Sequence, residues 1–275
     1  MSDTTSLTAD SYPYLTGMGL RNRAHMVFDE FHQDRPNSIK EDGQVIFVKT
    51  DYIPQFFSYI MPSIKYQVNI ITHNSALGID ASYNRYLNNS KILKWYAQNA
   101  NFFHEKLESV PLGIANRRWP HGDVDLIEDI KSKTTEKQYL AYMNFDINTN
   151  ATKRSVVYDV FKDKEYVLKG SKKSFKDYLV DLSLSKYCIS PPGAGIDCHR
   201  IWECIAIGTI PIVERCHNIS FHTKMPIMII DDWNIVTKEE LDHKYDFYNS
   251  ILYNESPLYL EYWIDKIGLN QNVIR

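Results

Sequence analysis

The fold class can be read from residues 190–213, whose sequence is SPPGAGIDCHRIWECIAIGTIPIV. Residues 187–190 predict a β-strand that ends at the first residue of this stretch, and the last five residues of the stretch predict another strand. Between them lies a loop with Gly193 and Gly195, which permit positive φ and close backbone approach. A helix follows, which Asp197 can cap and Gly208 can end. Strand, loop, helix and strand in this order are typical of a parallel α/β sheet.

The same alternation extends outward from this stretch in both directions. Short apolar runs predict further strands, at residues 45–48, 68–72, 139–143 and 166–168. Helices are predicted at residues 54–60, 90–107 and 156–161, and apolar residues at positions 175, 178, 179 and 182 have the spacing of an amphipathic helix. We therefore expect an α/β protein with two Rossmann-like domains that face a cleft.

A polar, charged segment at residues 123–138 separates the two sets of predicted strands. We place the N-terminal domain at residues 1–128 and the C-terminal domain at residues 129–255. Residues 256–275 are predicted to be a helical segment that packs back on the N-terminal domain.

Composition excludes several classes of protein. The chain has 275 residues, 24% of them charged, and a net charge of −3, which gives no reason to expect a nucleic-acid partner. No apolar run approaches the roughly 20 residues that span a bilayer, and no signal peptide is visible. We therefore expect a cytoplasmic protein, or a catalytic domain cut away from an anchor. The four cysteines lie at residues 188–216 without zinc-type spacing, which favours free buried thiols.

The loop and helix of residues 190–213 suggest an anion site. Backbone N–H groups and the positive end of a helix dipole suit a diphosphate. Arg200 and Glu203 share one helix face, with His199 in the first turn. A guanidinium can neutralise phosphate, and a carboxylate can accept hydrogen bonds from both hydroxyls of a ribose. The alternative is a surface ion pair worth about 0.2–0.5 kcal/mol.

This stretch resembles the exostosin family of inverting glycosyltransferases, and is closest to small members without a membrane anchor, including those of large algal viruses. The matching parts are the Pro/Gly loop at residues 191–195, the pair Arg200 and Glu203, and the strand at residues 208–213. The resemblance implies the GT-B fold, with the nucleotide-sugar held by the C-terminal domain, the acceptor on the side of the N-terminal domain, and no divalent metal. For a viral member the location would be the host-cell cytoplasm.

The resemblance also implies the remaining site residues. Arg200 would bind the diphosphate and Glu203 the ribose, and the segment from Asn144 to Arg154 resembles a second donor-binding element. The full donor set is Asn144, Arg154, Ser190, Gly193, Gly195, Asp197, His199, Arg200 and Glu203. Residues 111–122 resemble the family's segment that leaves the N-terminal domain. The predicted acceptor or cleft residues are Asn116, Trp119 and His121 in this segment, and Asn74 and Ser75 after the strand at residues 68–72. The alternative for Arg154 is a solvated cation at a helix start. For Asn116, Trp119 and His121 the alternative is that they only maintain the loop structure.

An inverting transfer needs a general base to take the proton of the acceptor hydroxyl. The strand at residues 68–72 is followed by His-Asn-Ser-Ala, where similar sequences have His-Asn-Ser-Asp, so Ala76 stands where a base is expected. Three explanations stay open. His73 is the base, or Asp51 or Asp80 substitutes for it, or a natural aspartate at position 76 has been replaced. His73 can also be a structural histidine that is hydrogen-bonded to the backbone.

Two acidic pairs could suggest a metal, but neither predicts one. Asp123 and Asp125 form an Asp-x-Asp sequence within a polar loop rather than after an apolar strand, and Asp231 and Asp232 are explained more simply as a strand end that caps the next segment. We therefore expect no metal and no cofactor.

The predicted function is metal-independent, inverting transfer from a UDP-sugar to a hydroxyl of a glycan or glycoprotein. Of the possible donors we name UDP-xylose, and UDP-glucose, UDP-galactose and UDP-glucuronate are the other candidates. One alternative is a fucosyltransferase-like enzyme that uses GDP-fucose. The other is a catalytically dead protein that binds a nucleotide-sugar or glycan, which Ala76 keeps open.

Overall fold

The structure is a computed structural model that describes residues 9–133 and 136–269. The described residues fall into two compact units: the first contains the residues up to Gly122 and those from Ser256 onward, and the second runs from Asp123 to Glu255. The boundary predicted after residue 128 lies inside the first helix of the second unit, Val124–Lys131.

The first unit contains a five-stranded sheet in which every strand pair is parallel. The strands follow one another across the sheet in chain order. They are β1 (Met26–Phe28), β2 (Val45–Lys49), β3 (Val68–His73), β4 (Ile92–Ala97) and β5 (Leu107–Ser109), and the helices among them are α1 (Gly17–Arg23), α2 (Ile53–Gln55) and α3 (Asn84–Leu87). Four successive residues of β2 are buried, as expected for a strand covered on both faces.

The second unit contains another parallel five-stranded sheet, ordered β10-β9-β8-β6-β7. Its strands are β6 (Tyr139–Met143), β7 (Val167–Lys169), β8 (Ser185–Ile189), β9 (Ile210–Glu214) and β10 (Met228–Ile230). Its helices are α4 (Val124–Lys131), α5 (Ala151–Phe161), α6 (Phe175–Ser183), α7 (His199–Ile207), α8 (His217–Ser220) and α9 (Lys238–Ser250). The strand order reverses between β6 and β8, and such a switch point opens a crevice at the carboxyl ends of the two strands.

The C-terminal helix α10 (Leu260–Ile267) belongs to the first unit. Leu260, Trp263, Ile264 and Ile267 have the spacing of one helix face, and all four are buried in a cluster with β2 residues Val45 and Phe47. The predicted segment extends to residue 275, and residues 270–275 lie outside the described part of the chain.

Two Rossmann-like α/β domains in one chain confirm the predicted fold class, and two parallel sheets of this kind are the domain composition of GT-B proteins. The helix predicted at residues 90–107 is wrong, because β4 and β5 occupy this region. Ile92, Trp95 and Tyr96 have helical spacing, but they lie in an interior strand of the sheet. Only its last three residues, Trp95 to Ala97, are buried in succession, so its pattern does not alternate strictly. Among the described residues, no helix has the length and apolar character needed to cross a bilayer.

Candidate functional site

The N-terminus of α7, at the end of the loop that follows β8, has a different N-cap residue from the one predicted. Gly208 ends the helix in the left-handed conformation, with φ 77°, as predicted. The N-cap residue, however, is Cys198, which makes no side-chain capping hydrogen bond. The carboxylate of Asp197 instead accepts a hydrogen bond of 2.9 Å from the indole Nε1 of Trp202. Asp197 therefore fixes the loop to the helix, and its predicted capping role is wrong.

Gly193 allows an arginine to approach the loop closely. A Cβ atom at Gly193 would lie 3.0 Å from Nη2 of Arg154, so a side chain here would crowd the guanidinium. The backbone of Gly193 is not left-handed, so close approach explains this glycine and positive φ does not. Gly195 lies in the same loop and is partly buried.

Arg154 and Arg200 come together at the switch point. Arg154, from α5, is 5% exposed and donates from Nε to the carbonyl of Pro192 at 2.9 Å and from Nη1 to the carbonyl of Asp146 at 2.8 Å. Arg200, from α7, donates from Nη2 to the carbonyl of Asn144 at 2.6 Å. These partners are backbone carbonyls, which hold the guanidiniums in place without neutralising their charge.

The aromatic ring of Phe145 lies against both guanidiniums. The Cζ atoms of Arg154 and Arg200 are 5.5 Å and 6.0 Å from the centre of its ring. Neither arginine forms an ion pair with a carboxylate among the described residues, and the buried Nε of Arg200 has no hydrogen-bond partner. Two cations held by neutral groups, with one donor unsatisfied, are the arrangement expected of an anion site.

The charges of the two arginines influence each other. Burial lowers the pKa of Arg154, and the nearby positive charge of Arg200 lowers it further. Like charges held close together cost free energy, which a bound anion would offset. A diphosphate bound by both guanidiniums would bring such a negative charge.

Glu203, one helical turn after Arg200, is 5% exposed and accepts a hydrogen bond of 2.8 Å at Oε2 from the hydroxyl of Tyr178. Burial raises the pKa of Glu203 to about 6, while the Tyr178 hydrogen bond and the charge of Arg200 oppose that rise. Among the described residues, its Oε1 has no hydrogen-bond donor. The carboxylate is thus fixed through one oxygen and has the other available.

Tyr178 is the site residue that the sequence analysis did not identify. The spacing in α6 assigned it to the apolar face, and its ring does pack beside Phe175 and Tyr142. Nothing in the sequence of α6 indicates that its hydroxyl reaches a carboxylate on α7.

The remaining predicted donor residues are structural or peripheral. Asn144 contributes its backbone carbonyl to Arg200, while its amide donates to the hydroxyl of Tyr142 at 2.7 Å. Ser190 is buried and donates to the carbonyl of Cys188 at 3.3 Å. His199 is the first residue of α7 and is partly buried.

In the first unit, His73 ends β3 and is completely buried. Its Nδ1 accepts from the backbone N–H of Asn74 at 2.8 Å, which leaves Nε2 to donate to the carbonyl of Pro111 at 3.0 Å. Burial lowers its pKa to about 4. Both ring nitrogens are therefore engaged with backbone, and neither is available to take a proton from an acceptor.

Asn74 and Asn116 form a tightly packed structural cluster. Asn74 has a φ of 61°, and its Oδ1 accepts from Nδ2 of Asn116 at 3.5 Å. The Oδ1 of Asn116 in turn accepts from the backbone of Met18 at 2.9 Å. A Cβ atom at Gly17 would lie 1.9 Å from Oδ1 of Asn74, so only glycine fits there. The sequence analysis did not identify Gly17.

The loop after β3 leaves position 76 accessible. Ala76 is exposed, and the carbonyl of Ser75 accepts from the amide of Gln98 at 2.8 Å. Asp80 accepts from the backbone and hydroxyl of Ser82, and these hydrogen bonds lower its pKa. The carboxylate of Asp51 is exposed and makes no hydrogen bond among the described residues. Of the candidate bases present, Asp51 has the free carboxylate.

Trp119 and His121 stack on each other, with ring centres 6.3 Å apart and planes inclined by 19°. Trp119 is 49% exposed, and the guanidinium of Arg118 lies 5.1 Å from the centre of its ring. This aromatic surface offers a flat apolar face of the kind that packs against sugar rings.

No group of three or more His, Cys, Asp or Glu side chains among the described residues is arranged to hold a metal ion. Asp123 caps α4 by accepting from the backbone N–H of Leu126 at 3.2 Å, and Asp231 pairs with Arg215 at 2.6 Å.

Comparison with known proteins gives one family match. Residues 133–243 match the model of the RXYLT1 C-terminal domain, a range that runs from β6 into the first half of α9 and includes Arg154, Arg200 and Glu203. No curated protein matches the chain. The family match supports a glycosyltransferase in general terms, while the resemblance to exostosins and to viral members stays a prediction.

Similar solved structures are only distantly related. The apo structure of OtsA has a TM-score of 0.42 and 9% identity, and the alignment covers 85% of this chain and 70% of that one. The N-terminal domain of Candida albicans trehalose-6-phosphate phosphatase has a TM-score of 0.41 and 11% identity, and the alignment covers 84% of this chain and 71% of that one. A glycosyltransferase from Rickettsia africae ESF-5 has a TM-score of 0.39 and 13% identity, and the alignment covers 81% of this chain and 71% of that one. These scores are too low to carry an argument about function.

Proposed function

We propose that this protein is an inverting, metal-independent glycosyltransferase that moves a sugar from a UDP-sugar to a hydroxyl of a glycan or glycoprotein. The observation that carries the proposal is the pair Arg154 and Arg200, which are held by backbone carbonyls and both lie against the Phe145 ring at the switch point between β6 and β8. Ligands of open α/β sheets bind at such switch points.

The donor is bound through two kinds of contact in this proposal. The diphosphate lies between the two guanidiniums, where it satisfies Nε of Arg200. The ribose hydroxyls donate to Glu203, whose second oxygen is fixed by Tyr178. Xylose is the sugar we favour, since the matched family model is of a xylosyltransferase-like domain. GDP-fucose on the same arginines is the alternative donor.

In the transfer step, the acceptor oxygen forms a bond to the anomeric carbon while the bond from that carbon to the diphosphate oxygen breaks. UDP leaves with the bonding electron pair, and its added charge is stabilised by Arg154 and Arg200. The acceptor proton passes to a general base. Because both nitrogens of His73 are engaged, we assign this role to Asp51 in the present chain, or to an aspartate at position 76 where one is present.

A binding protein without catalytic activity is the second candidate, and Ala76 is the observation that favours it. This residue is exposed beside a strand end and has no group that accepts a proton. Slow transfer together with normal donor binding would fit this candidate.

We expect UDP to bind equally well with and without EDTA, because cationic side chains supply the charge that a divalent ion would otherwise provide. Isothermal titration of UDP into the protein, first with magnesium or manganese and then with EDTA, measures this. Loss of UDP binding in EDTA would contradict metal independence, and failure of UDP to bind under any condition would contradict the donor site itself.

A further inference from the structure

The first unit contains a second basic surface that the proposed transfer does not use. A depression of about 510 Å³ lies at the surface of this unit, and small-ligand sites commonly have volumes of about 300–1,000 Å³. Its polar lining consists of three cations and three neutral donors, Arg35, Lys40, Lys65, Asn37, Ser63 and Tyr66. No carboxylate lines it.

The three cations are not neutralised by the protein. Arg35, Lys40 and Lys65 form no ion pair with any carboxylate among the residues described. Lys49 of the same unit, by contrast, is paired with Glu30 at 2.9 Å. The nearest acidic residues in sequence are Asp34, Glu41 and Asp42, and none of them lines the depression. Asp34 accepts from the backbone N–H of Val27.

The neutral donors are also available. The side chains of Asn37, Ser63 and Tyr66 make no hydrogen bond within the described chain. A tetrahedral oxyanion has several acceptor oxygens, so it can use ammonium, guanidinium, hydroxyl and amide donors at the same time. The lining therefore matches a phosphate or sulfate group in both charge and hydrogen bonding.

The position of the depression separates it from both other candidate sites. Lys40 precedes β2, and Lys65 and Tyr66 precede β3, so these residues lie toward the amino ends of the parallel strands. Asp51 and Ala76 follow the carboxyl ends of the same strands. The depression is thus at the opposite edge of the sheet from the candidate base positions, and Arg154 and Arg200 belong to the other unit.

We propose that this depression is a second anion-binding site, and that it takes a soluble ligand carrying a phosphate or sulfate ester. The site is independent of the proposed transfer, because its lining shares no residue with the donor site or the candidate bases. Binding here would hold a charged group of a ligand away from the reacting atoms.

The test uses inorganic pyrophosphate as the probe and backbone amide shifts of the ¹⁵N-labelled full chain as the measurement. We expect saturable shifts at residues 35–40 and 63–66, weakened by added salt because surface charges are screened within about 10 Å at 0.1 M. The same shifts should persist in Arg200→Gln, which disables the donor site. This separates the second site from the proposed function.

A triple variant, Arg35→Gln with Lys40→Gln and Lys65→Gln, should weaken binding at these amides by at least about tenfold, because three exposed charges that each contribute modestly are lost together. The matched control removes three exposed lysines of the second unit, Lys172→Gln, Lys176→Gln and Lys224→Gln, and should leave the shifts unchanged. Absence of shifts at residues 35–40 and 63–66, or equal loss in both triple variants, would overturn the site.

The source of the ester is tested in two further arms. A sulfated disaccharide should compete with pyrophosphate at the same amides. Vesicles of phosphatidylcholine with phosphatidylserine should not bind the chain more tightly than they bind the triple variant. Charge-dependent vesicle binding without competition by the disaccharide would overturn the assignment to a soluble ligand.

Discussion

Replacing Ala76 by aspartate is expected to raise the turnover rate of sugar transfer by about 10²–10⁴-fold, the usual contribution of a general base. Ala76 is exposed in the loop after β3, so a carboxylate there would be solvated and would not have to break an existing contact. The donor Kd should stay nearly constant, because Arg154, Arg200 and Glu203 belong to the other unit. Transfer is measured as UDP release in the presence of acceptor.

Three variants separate the candidate bases. Ala76→Asn is the matched control, since it adds a side chain of similar size that cannot take a proton. Asp51→Asn should remove most residual activity of the present chain. His73→Ala should lower stability, because a buried and fully hydrogen-bonded ring is lost, with little specific effect on the chemical step. A chain that works at full rate with Ala76 in place would contradict the assignment of position 76.

Removing the carboxylate of Glu203 should weaken donor binding by about 1–3 kcal/mol, the cost of losing hydrogen bonds to a charged acceptor. Glu203→Ala would also leave the hydroxyl of Tyr178 without its acceptor in a buried site, so stability should fall as well. Glu203→Gln is the sharper variant, because its amide oxygen still accepts from Tyr178 while the charge is gone. Calorimetric titration of UDP and of 2′-deoxy-UDP measures the effect, and wild type should prefer UDP more strongly than the variant does.

The pH dependence of donor affinity and of protein stability also tests the role of Glu203. The pKa of Glu203 is raised to about 6, so donor affinity should fall as the pH drops through 6 and the carboxylate becomes protonated. Protein stability should change in the opposite direction. A raised pKa in the folded state gives a contribution that is full below the ordinary value of 4.5 and is lost as the pH rises through 6. The stability dependence should disappear in Glu203→Gln, and the affinity dependence should be weaker there than in wild type. Equal pH dependence of UDP affinity in wild type and Glu203→Gln would contradict the role of Glu203.

Much of the fold could be predicted from local pattern. The loop and helix of residues 190–213 were predictable, because glycine at position 208 adopts a conformation that other residues avoid. The helix predicted at residues 90–107 was wrong for a physical reason. Periodicity distinguishes helices from half-buried strands, but the buried residues of β4, Ile92 and Trp95 to Ala97, do not alternate and can satisfy a helical pattern.

The candidate site was predictable only in part. Arg200 and Glu203 share one helix, so their spacing alone put them on a common face. The contact of Phe145 with two guanidiniums and the hydrogen bond from Tyr178 depend on how separate elements pack, and local sequence does not encode this. For His73, the sequence left two roles open. Its burial and the Pro111 carbonyl, which is distant in sequence, favour the structural one.

The central claim is that the arginine pair of the second unit binds a nucleotide diphosphate. A crystal structure of the chain with UDP, grown without divalent metal, tests this most directly. The account predicts diphosphate oxygens within hydrogen-bond distance of Arg154 and of Nε of Arg200, with a ribose hydroxyl on Glu203. UDP bound elsewhere, or bound with both guanidiniums making only their present backbone contacts, would contradict it.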